Sequence, residues 1–166
     1  MLLLMVTMLG PPGGAEPASA AASATATAVT REAAPAELTA RAMTRNQRQV
    51  LDLINRARRS RGRGSLLTNG LQNRNAQNWA EHLRSIQALI HRRPPFGASV
   101  GWCGAAENIG RSGNGGTILA THRAFMRSSG HKSNILNSRW TRVGVGVARD
   151  RYGEYFIVHS FADYSC

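Results

Sequence analysis

The sequence predicts an α+β domain, and three observations carry that reading. Apolar residues recur at helical spacing in three stretches, near 44–60, 69–89 and 117–128. The period then changes to two in 142–147 and again in 155–161, which is the signature of half-buried strands. There is no internal repeat and no alternation of strands with helices, so helices precede an antiparallel hairpin instead of covering a parallel sheet.

Each element has a local cause. Thr44 followed by Gln47 is a capping box that opens the first helix. Val50, Leu51, Ile54 and Ala57 form its apolar stripe, and Ser60 to Gly64 ends it in glycine and charge. The second helix starts at Asn69 or Leu71 and runs to Leu89, with Leu71, Asn75, Trp79, Leu83 and Ile86 along one side. Pro94-Pro95 forbids further helix. Residues 94–116 are glycine-rich and hold one short extended segment at Glu107-Asn108-Ile109. Thr117 opens a third helix carrying Ile118, His122, Phe125 and Met126, which Ser128-Ser129-Gly130 terminates, and Asn134-Ile135-Leu136 reads as a turn or short helical piece. Val143, Val145 and Val147 alternate with Arg142, Gly144 and Gly146; Tyr155, Ile157, His159 and Phe161 alternate likewise, with Asp150 to Gly153 as the hairpin turn between them.

The N-terminal part has a different composition. Met1 to Leu9 is a short apolar run and Ala18-Ser19-Ala20 is a small-residue triplet of the kind cleaved on export, so residues 1–22 read as a signal peptide. Residues 23–42 are an Ala/Thr/Pro-rich linker that cannot bury enough apolar surface to order itself, and 43–166 form the domain. The apolar run is too short to span a bilayer. In an exported chain Cys103 and Cys166 read as one disulfide, the alternative being two unpaired thiols.

The formal net charge of +12 comes from 20 Arg and one Lys. The densest run, Arg56 to Arg63, has no interleaved aromatic for base stacking, so specific nucleic-acid recognition is not expected. It reads as the solvated end of a helix, with weak attraction to anionic cell-envelope polymer.

Three segments carry candidate chemistry: Ile90-His91-Arg92, Ala106-Glu107-Asn108-Ile109 and Gly130-His131-Lys132-Ser133-Asn134-Ile135-Leu136. With Asn55-Ala57-Arg58 before them and Val143 to Val147 and Phe156 to Phe161 after, they resemble, in order, the motifs of the CAP superfamily (cysteine-rich secretory protein, antigen 5, pathogenesis-related; the SCP-like extracellular domain) of bacterial type. The resemblance covers residues 45–164. It implies a secreted domain, an α-β-α sandwich around a central antiparallel sheet, and a cleft that in many members holds two His and two acidic residues and in some binds zinc. By position the pair is His91 and His131 and the first acid is Glu107; the second acidic position falls on Ser129, so at most three of the four groups are present.

Two imidazoles and a carboxylate form the ligand set of hydrolytic zinc centres, although the spacing of His91, Glu107 and His131 is not itself a metal signature. The competing role for Glu107 is to orient one His and brace the loops. Binding of a ligand without turnover, with a lipid among the candidates, is the leading expectation. A divalent-metal-dependent hydrolase using the three residues, with zinc the candidate ion, and a cationic wall-binding or defence protein are the alternatives. A serine nucleophile at Ser128 or Ser129 is disfavoured, since neighbours in sequence seldom face one another. His82 is expected on a helix surface, His122 at the core edge and His159 as a satisfied core histidine; Trp79, Trp102 and Trp140 as packing groups; Asn108 and Asn134 as loop braces.

Overall fold

The computed structural model describes residues 42–94, 96–98 and 101–165. The expected signal peptide and linker (but for residue 42) and Cys166 lie outside them. Seven elements follow one another: α1 Arg45–Arg59, α2 Gly70–Ile86, β1 Gly104–Arg111, α3 Ile118–Arg127, α4 Ser129–Leu136, β2 Arg142–Arg149 and β3 Tyr155–Asp163. The strands form one antiparallel sheet in the order β1-β3-β2.

Strand alternation sorts the core into two layers. Val143, Val145, Val147, Ile157 and Phe161 face α1, α3 and α4, meeting Val50, Ile54, Phe125 and Ile135. Ala148, Phe156, Val158 and Ile109 point the other way and meet Ala76, Ala80 and Leu83 of α2. The sheet is therefore covered on both faces, and the α+β class holds.

The face that α2 buries differs from the expected stripe. Leu71 and Ile86 are exposed, while Gln72, Asn73, Ala76, Ala80 and Leu83 are buried. The cause lies in β2. A Cβ on Gly144 would stand 2.5 Å from the Gln72 carbonyl oxygen, and one on Gly146 would stand 2.0 Å from that of Ala76. The two glycines let the helix backbone settle onto the strand, and only small or thin side chains fit at the contact.

Residues of α1 and α2 also close the outer edge of β2. Val145 N–H donates to Asn73 Oδ1 (2.9 Å) and Val147 N–H to Gln77 Oε1 (2.9 Å). Gln47 and Gln77 amides donate to the Val145 and Val147 carbonyls at 2.9 and 3.0 Å. Gln47 is placed for this by the predicted capping box with Thr44.

Other expectations change with the coordinates. α2 ends at Ile86 because Gln87 takes a left-handed conformation (φ 53°) that stops the helix. The extended segment at Glu107 is a full eight-residue strand, drawn out by pairing with β3. Ser128 does end α3, but its extended backbone (ψ 125°) immediately opens α4, so His131 stands on a helix. Arg58 is not solvated: its guanidinium is buried and donates to the carbonyls of Gly64, Ile135 and Asn137, tying α1 to the end of α4. Trp102 is exposed and Trp140 buried.

Candidate functional site

Glu107 and Asn108 are neighbours on β1, so their side chains serve opposite faces of the sheet. Glu107 turns to the α2 layer. Its side chain is wholly buried and is met by three hydrogen-bond donors and an ion-pair contact. Oε1 accepts from the Arg92 backbone N–H and from His91 Nδ1, each at 3.1 Å; Oε2 accepts from Arg92 Nε at 2.9 Å and lies 2.8 Å from Arg92 Nη2. A carboxylate offers about four lone-pair sites; three accept hydrogen bonds, and the guanidinium crowds what is left. Because a carboxylate only accepts, Nδ1 of His91 carries the proton, which leaves Nε2, without a partner among the described residues, on a half-exposed ring.

Arg92 organises this corner. Beyond Glu107 it donates to the Asn75 carbonyl of α2 at 3.2 Å and to the Phe96 carbonyl, and its guanidinium lies 5.6 Å over the Trp79 ring. Gly97 makes room for it, since a Cβ there would stand 2.2 Å from Nη1. Phe96 holds φ 52° and its carbonyl also accepts from Ser160 Oγ. The loop that presents His91 is thus fastened to α2 and β1 through the Arg92 side chain and to β3 through the Phe96 carbonyl.

Asn108 serves the other layer. Its Nδ2 donates to the His131 carbonyl (3.0 Å) and its Oδ1 accepts from Asn134 Nδ2 (2.9 Å), so both amides act as braces, on a strand and a helix and not on loops. His131 Nδ1 lies 2.8 Å from Ser128 Oγ, and its ring packs 4.9 Å from Phe125. Ser128 and His131 thus do face one another, against expectation, because the start of α4 puts residues three apart on one side. Burial first, and then the charge of His91, hold the His131 imidazole below its ordinary value.

On the far side of Phe125 stands His159, 4.9 Å away and fully buried. It is a core histidine as expected, but not a satisfied one, since Nδ1 has no partner among the described residues; the same is true of His122 Nδ1. His82 is exposed and stacks on Trp79 at 4.7 Å.

The model of the cysteine-rich secretory protein family (CAP) matches residues 51–161, from the first helix to the last strand. The chain belongs to that family. A Bacillus subtilis relative, the uncharacterized protein YkwD, is 27% identical over 108 residues, covering 60% of this chain and 41% of the relative, so the chain spans less than half the length of that relative. An extracellular protein containing a SCP domain from Bacillus anthracis superposes with TM-score 0.60 at 25% identity, over 71% of this chain and 40% of that one. An outer surface protein of Borrelia burgdorferi does so with TM-score 0.61 at 15% identity, over 71% and 92%, a likeness of fold alone.

For a CAP domain the question is whether the expected zinc ligands fit an ion. Among the described residues no group of three or more His, Cys, Asp or Glu could hold a metal. Three hydrogen bonds already occupy the Glu107 oxygens, and a divalent ion approaching them would meet the Arg92 guanidinium. The Glu107 side chain also faces the α2 layer while His131 stands on α4 in the other. The trio does not fit a three-ligand zinc centre, and the site residues that keep exposed surface are His91 on the loop before β1 and, half-buried at the start of α4, Ser128 and His131.

Proposed function

We propose that this CAP domain works outside the cell as a binding module, taking a lipid-class ligand beside His91 and His131 without turning it over. The observation that carries this reading is the capture of Glu107: three hydrogen bonds and the Arg92 ion pair hold both oxygens of a wholly buried carboxylate, away from the role of general base or metal ligand. Glu107 instead orients His91, the role of a buried partner behind an imidazole. The family motifs and the extracellular and outer-surface descriptions of the neighbours support the location. A Cys103–Cys166 bridge belongs to the same reading: Cys103 N–H donates to the Asp163 carbonyl at 2.7 Å, three residues before the last cysteine.

Oleate is a suitable probe, with Trp79 beside Arg92 as the fluorescent reporter. The expected result is a saturable change that ignores EDTA and weakens at least about tenfold in His91→Ala/His131→Ala. Ester or phosphoester hydrolysis abolished by EDTA and restored by zinc would overturn the reading in favour of a metal-dependent hydrolase.

A further inference from the structure

Large apolar side chains exposed singly need no explanation, but a cluster does. Three lie within five residues at the C-terminal end of α2 and the loop after it: Ile86, Leu89 and Ile90, at 42%, 40% and 47% exposure. The β2–β3 turn lies against the same end, because Arg84, Ser85 and Gln87 line one open cleft of about 390 Å³ with Asp150, Arg151 and Tyr152. Tyr152 is 61% exposed. Arg111 of β1 joins the two by donating to the Gln87 carbonyl at 3.3 Å.

The charge at this end leans positive, although Asp150 lines the same cleft. Glu154 is buried and paired with Arg111, and Asp150 Oδ1 is spent on the backbone N–H groups of Tyr152 and Glu154 within its own turn. Among the described residues Arg84 and Arg151 have no acidic partner. Arg151 instead lies 4.7 Å over the Tyr152 ring. Aliphatic tips, an aromatic ring with a hydroxyl, and unpaired guanidinium groups beside them match the headgroup boundary of a bilayer, where each part finds its own solvent.

We propose that this end of the domain docks onto an anionic phospholipid bilayer, with Ile86, Leu89, Ile90 and Tyr152 entering the headgroup layer while Arg84 and Arg151 pair with lipid phosphates. The bilayer is favoured over a soluble anionic polymer because a polymer of charged groups in water has no use for four exposed apolar side chains. The proposal rests on the extracellular lipid-binding reading, which would bring a ligand from the docked surface to the neighbouring His91. Ile90 adjoins His91, so the variants that test the docking are placed elsewhere, and the readout is separate from that site.

The test is co-sedimentation of the full 166-residue chain with vesicles of phosphatidylcholine alone and of phosphatidylcholine mixed with phosphatidylglycerol. Binding is expected only with the anionic lipid and should weaken at high salt. Ile86→Ser/Leu89→Ser should lower it at least about tenfold, with oleate titration of the His91 site unchanged. Tyr152→Ser, on the separate turn, should lower it in the same direction and covers a misfolded loop variant. No binding to phosphatidylglycerol vesicles, equal binding to neutral vesicles, or full binding by both variants would overturn the proposal.

Discussion

Removing the Arg92 guanidinium leaves the Glu107 carboxylate, whose side chain is wholly buried, without the arginine that pairs with it. Breaking one partner of such a pair costs about 3–5 kcal/mol, whereas replacing both with apolar groups can be close to neutral. Arg92→Met should therefore lower the urea midpoint strongly, and Arg92→Met/Glu107→Leu should recover most of the loss. Arg92→Lys should not, because one ammonium cannot reproduce the Nε and Nη2 contacts to Oε2 while also reaching the Asn75 and Phe96 carbonyls. If the double variant is no more stable than the single, Arg92 acts through the loop carbonyls and not through Glu107. His91, Glu107 and His131 can be picked from the sequence because they sit in short motifs with a fixed order. Arg92 cannot: an arginine in a chain with so many looks like solvated surface until its partners are known. Arg58 misleads for the same reason, since burial of a guanidinium depends on carbonyls that arrive from distant elements.

At the scale of elements, hydrophobic period and capping residues are legible because they act within a few positions. The Thr44–Gln47 box, the alternating valines and the Asp150–Gly153 turn all form where the pattern puts them. The buried face of α2 is not legible, because backbone contact with Gly144 and Gly146 rewards small residues over the leucines that helical periodicity favours. Gly146→Ala should cost at least about 1–3 kcal/mol, since the helix must lift from the strand. Gly130→Ala provides the contrast: nothing lies within 4 Å of a Cβ there, and removing a helical glycine should stabilise by about 0.5–1 kcal/mol. Chemical denaturation of the two variants checks both signs. Equal effects would mean that α2 tolerates displacement.

Across the whole molecule, acid should be destabilising through the buried histidines. Complete burial first, then the charges of His122 and His131, push His159 down to about 3 from an ordinary 6.5. His122 is lowered by burial and by Arg56, and His131 by burial and His91. The unfolded chain then binds protons that the native state refuses, so unfolding free energy rises with pH across the window from about 3 to 6.5. Between pH values near 7 and 5 the urea midpoint should fall, by on the order of a few kcal/mol of stability in all. His159→Gln should flatten that dependence. A variant with the same slope as the wild type would place the proton uptake elsewhere.

The side-chain amides of Asn73, Gln77 and Gln47 along β2 have a consequence for self-association. A bare rim of a sheet invites another chain to add itself as one more strand, the first step toward ordered aggregates. Here a stranger approaching that rim finds the main-chain groups of Val145 and Val147 already answered from within the same molecule, so on that flank the sheet cannot be lengthened by a second copy.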